Sequence, residues 1–354
     1  YTHPDLSPNY LAGLSYDFVN NDSDPAPGTG DDHGTSVAGV AAARDDGATC
    51  GVGAAYRANL AGLRLISAPS TDAQEASALT HQYNSIAIYN NSWGPADDGQ
   101  TLIGPGPLTL AALEDGVTNG RGGRGNLYLW AAGNGLQYSD NVNYDGYANS
   151  RFTIAVGAVD YNGVQAYYSE PGAAMFITAP SRATSAVGIT TTDRLGANGY
   201  SSTDCTSQFG GTSSASPLAA GAVALMLQAN PNLGWRDVQH ILAQTAVKNN
   251  PTDSGWITNT AGFHLNHKYG FGRIDAGAAV TAAGSWVNAA PATSASSNVI
   301  AVNQTIPDNN STGVTSSVVI PDNIKLEHVE VVFSATHLYR GNLRVVLTAP
   351  SGTQ

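Results

Sequence analysis

The chain has 354 residues, a length that suits about two domains. It carries 15 Lys plus Arg against 27 Asp plus Glu, a formal net charge of −12, and 12% of its residues are charged while 42% are hydrophobic. So acidic a chain repels phosphate backbones, which argues against nucleic-acid binding, and its longest apolar run, Leu218 to Leu227, is about half of what a bilayer-spanning helix needs. The charge suits metal ions and basic peptides instead. No start Met or leader precedes Tyr1, which reads as a processed or trimmed product. Two cysteines cannot form a disulfide framework, although Cys50 and Cys205 could make one bridge.

The first thirty residues read as loop, with Asp17, Asp22, Asp24, Pro25 and Pro27 crowded together. From His33 a helix is expected, its small residues Ser36, Gly39 and Val40 allowing close packing. Apolar runs of strand length follow at Asn59 to Ile66, Ile86 to Ser92, Asn126 to Ala132, Phe152 to Val159 and Ala174 to Ala179. Helical patterns lie between and after them: Thr71 to Tyr83, opened by the capping box Thr71-x-x-Gln74, Pro107 to Val117, Thr212 to Asn230, and Trp235 to Val247. Doubly buried strands separated by helices predict an α/β fold with a mostly parallel sheet. The pattern changes near residue 287. Ala289 to Ser297 reads as a linker, and Ser316 to Ile320, Leu326 to Phe333 and Asn342 to Leu347 alternate as strands do. The expected division is therefore 1–287 and 288–354. The second part supplies too few strands for a complete sandwich.

Three segments sit where α/β proteins place their sites: His33-Gly34-Thr35, Gly133-Asn134-Gly135 just past a strand, and Gly211-Thr212-Ser213 opening a long helix. Together they suit acyl transfer. Ser213 offers a nucleophile, His33 takes its proton, and the Asn134 amide donates to an oxyanion. Alone, each has a plainer reading as a turn or cap. Their joint occurrence carries the signal.

These motifs, with Ser92-Trp93-Gly94-Pro95-Ala96-Asp97-Asp98-Gly99, Tyr144-Asp145-Gly146-Tyr147 and Trp235-Arg236-Asp237, resemble the subtilases, and among them the kexin/furin group of proprotein-processing proteases. Leu326-Glu327-His328, Arg340-Gly341-Asn342-Leu343 and Leu347 to Thr353 are similar to the P domain that follows the catalytic domain in that group. The resemblance implies a subtilisin-like α/β domain followed by an all-β, jelly-roll-like P domain, here incomplete. It makes Ser213 the nucleophile, His33 the general base and Asn134 the oxyanion donor. The third triad member, an Asp in the family, is expected just upstream of Tyr1.

By the same resemblance Asp97 and Asp145 line a pocket for a basic side chain, and Asp97 shares a calcium with Asp140 and Glu170. Asp31 or Asp32 forms an acidic wall for a second basic residue, Glu75 stands at a more distant subsite, and Ser92, Trp93 and Gly94 pair with substrate as an added strand. Further calcium ligands are expected at Asp17, Asp22 and Asp24, and at Asp5 with Asp46. Cys50 and Cys205 are expected to pair, which implies an oxidising compartment and a secreted protein; so few cysteines point to a bacterial form. The implied activity is a calcium-dependent serine endopeptidase acting after Lys or Arg, assisted in folding by a propeptide or chaperone. The alternatives are a broad-specificity subtilase and an inactive binding module.

Overall fold

The computed structural model describes residues 1–47, 49–183 and 187–354. They group into two units, Tyr1–Asn288 with Gly341–Gln354, and Ala289–Arg340. In the first unit a parallel sheet of four strands runs in the order β3 (Ile88–Asn91), β4 (Leu127–Ala131), β5 (Thr153–Val159) and β6 (Ile177–Pro180). Its register pairs Leu129 with Asn90 on one side and with Ile154 on the other.

Period-two alternation sorts β4 between two cores. Leu127 and Leu129 join Ile154, Val156 and Ile177 against α4 (Thr212–Ala229), α5 (Trp235–Thr245) and α6 (Ala276–Gly284). Tyr128 and Trp130 face the other way, onto Leu79 of α2 (Asp72–Leu79) and Leu113 and Val117 of α3 (Pro107–Gly123). All five residues of β4 are buried, which is why they read as one continuous apolar run. The capping box forms as expected: Thr71 Oγ1 accepts the Gln74 N–H, and the Gln74 side chain accepts the Thr71 N–H.

The other strands are short. β1 (Tyr16–Asp17), inside what reads as loop, lies parallel to β2 (Leu63–Arg64), the short strand formed within the Asn59 to Ile66 run. β7 (Ile189–Thr192) pairs antiparallel with β8 (Cys205–Phe209), and β9 (Ile257–Thr258) with β10 (His264–Leu265). The hydroxyls of Thr191 and Thr192 donate to the carbonyls of Ser36 and Thr35 in α1 (His33–Ala42), fastening that helix to the hairpin. A Cys50–Cys205 disulfide joins the loop after α1 to β8.

In the unit Ala289–Arg340 the described residues form no paired strand. Ser316 to Ile320 and Leu326 to Phe333 run unpaired, with Val319, Val332 and Phe333 exposed, and Asn342 to Leu347 in the other unit is unpaired as well. Alternation marks which face of a strand wants burial. It does not supply the neighbouring backbone that completes a ladder.

Candidate active site

Because β3 to β6 are parallel, their carboxyl ends share one edge of the sheet, and there the three motifs gather. Ser92 to Gly94 leaves β3, Gly133 and Asn134 leave β4, and the amino terminus of α4 presents Ser213 as its second residue. His33 opens α1, which packs on α4. Its ring meets Phe209, four residues before Ser213, edge-on at 5.5 Å. Burial pushes the imidazole below its ordinary value, so it stays neutral and able to accept a proton. Among the described residues no carboxylate pairs with His33 and no hydrogen bond joins it to Ser213.

Asn134 is fixed by a residue that sequence reasoning did not single out. Its Oδ1 accepts the Thr212 N–H at 2.8 Å and the Thr212 hydroxyl at 3.0 Å, which leaves the amide NH₂ as the outward group. Gly211, at φ +74°, turns the chain into α4, and the Ser181 hydroxyl holds its carbonyl at 2.7 Å. The only signal for Thr212 in sequence was its place beside Ser213.

Beside the amide lies a narrow acidic cleft of about 10 Å³, lined by Asp97, Asp140, Asp145 and Glu170 with Tyr144, Thr101 and Gly133. That free volume is the size of one water or ion. Asn134 Nδ2 donates to Asp97 at 3.3 Å, and Asp140 accepts the Gly99 N–H at 2.9 Å. Glu170 accepts the Gly135 N–H at 2.9 Å and lies so close to Gly133 that a Cβ there would collide with it. Burial pushes Asp145 up to about 7, against two backbone N–H donors, with Asp97 and Asp140 adding repulsion. Glu170 is also raised, first by burial and then by Asp140 and Asp97. No Lys or Arg pairs with any of the four among the described residues. The oxygens of Asp97, Asp140 and Glu170 are not all within 4.8 Å of one another, yet hard-oxygen donors around an ion-sized space, Asp140 and Glu170 among them buried, fit calcium.

Asp145 lines this cleft and lies beside the Ser92 to Gly94 edge. Its Oδ1 accepts the N–H groups of Tyr147 and Ala148 at 2.7 and 3.2 Å, and its Oδ2 would be 2.8 Å from a Cβ on Gly94. Along that edge the carbonyl of Trp93 is already taken by the Trp130 indole N–H at 2.6 Å. Ser92 and Gly94 make no backbone hydrogen bond among the described residues, and alternate residues are what an added strand pairs with.

Other expected residues are placed differently. Glu75 is buried, its oxygens accepting hydroxyls of Ser70, Tyr147 and Thr109. Asp31 pairs with Arg64 and Asp32 with Arg194, at 2.8 and 3.3 Å. The acids of the expected wall are thus met by arginines that the motifs do not reveal. Asp17, Asp22 and Asp24 do not converge. Asp17 is fully buried against Arg64 at 2.8 Å, Asp22 accepts the Asp24 N–H, and Asp24 accepts the Tyr1 hydroxyl. Asp46 is exposed and held by Arg44, which lowers its carboxyl to about 2, while Asp5 is buried and accepts the Thr49 and Cys50 N–H groups. The one trio of candidate metal ligands within 4.8 Å among the described residues is His3, Asp5 and Cys50, and Cys50 is committed to the disulfide.

Residues 1–272 match the model of the subtilase family, and residues 326–354 match the proprotein convertase P-domain. Human proprotein convertase subtilisin/kexin type 7 is 44% identical over 363 residues, covering 99% of this chain and 46% of that protein. The dibasic-processing endoprotease of Schizosaccharomyces pombe is 42% identical over 366 residues, covering 99% of this chain and 50% of its own length. The chain thus spans about half the length of the curated relatives it matches. The crystal structure of the Aeromonas sobria serine protease with its chaperone superposes with a TM-score of 0.75 at 26% identity, covering 82% of this chain and 59% of that one. No helix among the described residues is long and apolar enough to cross a membrane. The chain belongs to the subtilase family, within its kexin-like group of convertases that carry a P domain.

Proposed function

We propose that residues 1–287 are the catalytic domain, and 288–354 the linker and first part of a P domain, of a secreted calcium-dependent serine endopeptidase that cleaves after Lys or Arg. The observation that carries this reading is the acidic cleft beside the Asn134 amide: four carboxylates without a cationic partner among the described residues. A guanidinium or ammonium reaching Asp145 gains a charge-assisted partner in a desolvated site. The names of the human and fission-yeast relatives favour the same specificity. The disulfide favours an oxidising compartment, and the chaperone complex of the Aeromonas protease favours assisted folding.

In this reading Ser213 Oγ attacks the scissile carbonyl carbon while His33 takes its proton. The oxyanion receives N–H donors from Asn134 Nδ2 and the Ser213 backbone, aided by the positive end of α4. His33 then protonates the departing amine, leaving an acyl ester on Ser213. Water, deprotonated by His33, hydrolyses that ester. Asp97, Asp140 and Glu170 would hold calcium, which when bound would supply a fixed positive charge beside their oxygens.

A second reading has its own support. Because Asp31 and Asp32 are already paired with Arg64 and Arg194, one basic residue rather than two would govern selection. The test compares fluorogenic peptides ending Lys-Arg, Leu-Arg and Leu-Leu, with and without chelator. Strong preference for Lys-Arg supports dibasic selection, and equal rates for Lys-Arg and Leu-Arg support the second reading. Equal turnover of all three refutes basic selectivity, and failure to react with a serine-directed phosphonate favours a binding module.

A further inference from the structure

Pro217 lies in the second turn of α4, four residues after Ser213, and a proline has no N–H to return to the carbonyl of residue i−4. The Ser213 carbonyl therefore lacks its helical donor. The Ser92 hydroxyl donates to it instead, at 3.0 Å. That hydroxyl is itself held: Asn90 Nδ2 donates to Ser92 Oγ at 3.0 Å, and Asn90 Oδ1 accepts the hydroxyl of Ser216 at 2.7 Å. Ser216 is fully buried. The bonds form a closed circuit from the first turn of α4 to the end of β3 and back to the peptide of Ser213.

We infer that Ser92 is a positioning residue, whose hydroxyl replaces the donor that Pro217 withholds and so sets the angle at which α4 presents Ser213. The reading rests on Ser213 as the nucleophile. A carbonyl left without a donor would let the first helical turn rotate, and small misplacement of a nucleophile is costly because attack needs aligned atoms. Two elements are tied together by the same residue. Ser92 offers its backbone to an extended substrate and its side chain to the nucleophile's peptide, so a substrate seated on the edge also loads the circuit. Asn90 completes it, because it orients the Ser92 hydroxyl and is gripped in turn by Ser216.

The test is a double-mutant cycle on the full chain, using Ser92→Ala and Pro217→Ala. Ser92→Ala is expected to lower kcat about 3- to 10-fold, the range of one neutral hydrogen bond, with KM unchanged because the backbone edge is intact. Ser92→Thr, which keeps the hydroxyl, is expected to restore most of the loss. Pro217→Ala returns an N–H to the Ser213 carbonyl, so in that background Ser92→Ala should cost less than 2-fold. An undiminished loss in the Pro217→Ala background, or a rise in KM with kcat intact, overturns the proposal. Amide exchange at residues 213, 214 and 216 gives the same comparison without turnover. Faster exchange in Ser92→Ala, suppressed in the double variant, supports the circuit, and unchanged exchange refutes it even in a chain that cleaves no peptide. Loss of all hydrolysis in the parent chain would count against the protease reading alone.

Discussion

Asn134 Oδ1 accepts both the backbone N–H and the hydroxyl of Thr212, at 2.8 and 3.0 Å, so the proposed oxyanion donor is anchored to the residue that precedes the proposed nucleophile, Ser213. Nδ2, which also donates to Asp97 at 3.3 Å, is the end of the amide left to meet an oxyanion in that proposal. Asn134→Ala is expected to lower kcat about 10²- to 10³-fold with little change in KM, since the donor acts on charge that appears in the transition state. Thr212→Val keeps the backbone bond and loses the hydroxyl, so its cost should be about 10-fold or less. Steady-state kinetics on one Arg substrate checks both, and a loss confined to KM would contradict the role.

Asp145→Asn preserves the shape of the cleft, because the amide oxygen can keep the Tyr147 and Ala148 donors while the charge disappears. The value of kcat/KM on an Arg substrate should fall about 10²-fold or more, as expected when one partner of a desolvated ion pair is removed. Cleavage of a Leu substrate should change little. An equal loss on both substrates would mean that the substitution had damaged the fold.

Arg194 and Arg64 have different expected phenotypes although each meets an acid before His33. Arg194→Gln releases Asp32 from a partly exposed pair and should raise the preference for Lys over Leu before the scissile Arg up to about fivefold. Arg64 also holds Asp17, which is fully buried. Arg64→Met strands that carboxylate and should cost about 3–5 kcal/mol of stability, seen as a lower Tm. Selectivity profiles and thermal scans separate the two effects.

Calcium removal should act on stability before chemistry. Saturation at about 100 times Kd adds about 2.7 kcal/mol, a shift of roughly 4–5 °C in Tm for a domain of this size. Asp140→Asn should abolish most of the difference between calcium and chelator. Calorimetry at several calcium concentrations reads it directly, and identical scans with and without the ion would remove calcium from the account.

Burial lowers the His33 pKa below 6.5, and the base works only when neutral. Activity is therefore present above that lowered pKa and lost as pH falls through it. The acid limb of the kcat/KM profile should lie below the ordinary imidazole range; a limb at or above pH 7 would contradict the burial argument.

The segments that build the site were legible where one chain stretch carries its own signal. The apolar run of β4 marks a doubly buried strand, Thr71 and Gln74 mark a helix start, and Gly-Thr-Ser before an apolar stretch marks α4. What could not be read was who partners whom. Arg64 and Arg194 lie far in sequence from Asp31 and Asp32, and nothing local says that Glu75 will be turned inward onto Tyr147. The hairpin of β7 and β8 was missed because its strands are short, polar and separated by a long Gly/Ser-rich loop. The helix α6 was missed because a run of Ala and Gly has no marked polar face. The Ser92–Ser213 bond was half visible: the proline that calls for it stands in the motif, but its replacement donor comes from 121 residues away.

The Cys50–Cys205 bridge encloses the four strands of the parallel sheet with Ser92, Asn134 and Asp145, while His33 and Ser213 lie just outside its two ends. A single cut in any exposed loop between those cysteines leaves one covalent molecule, with base and nucleophile still on segments joined through sulfur. Under the proposed endopeptidase reading, cleavage of one copy of the chain by another would leave such a nick. It would pass unseen on a non-reducing gel and appear as two fragments only once the bridge is reduced.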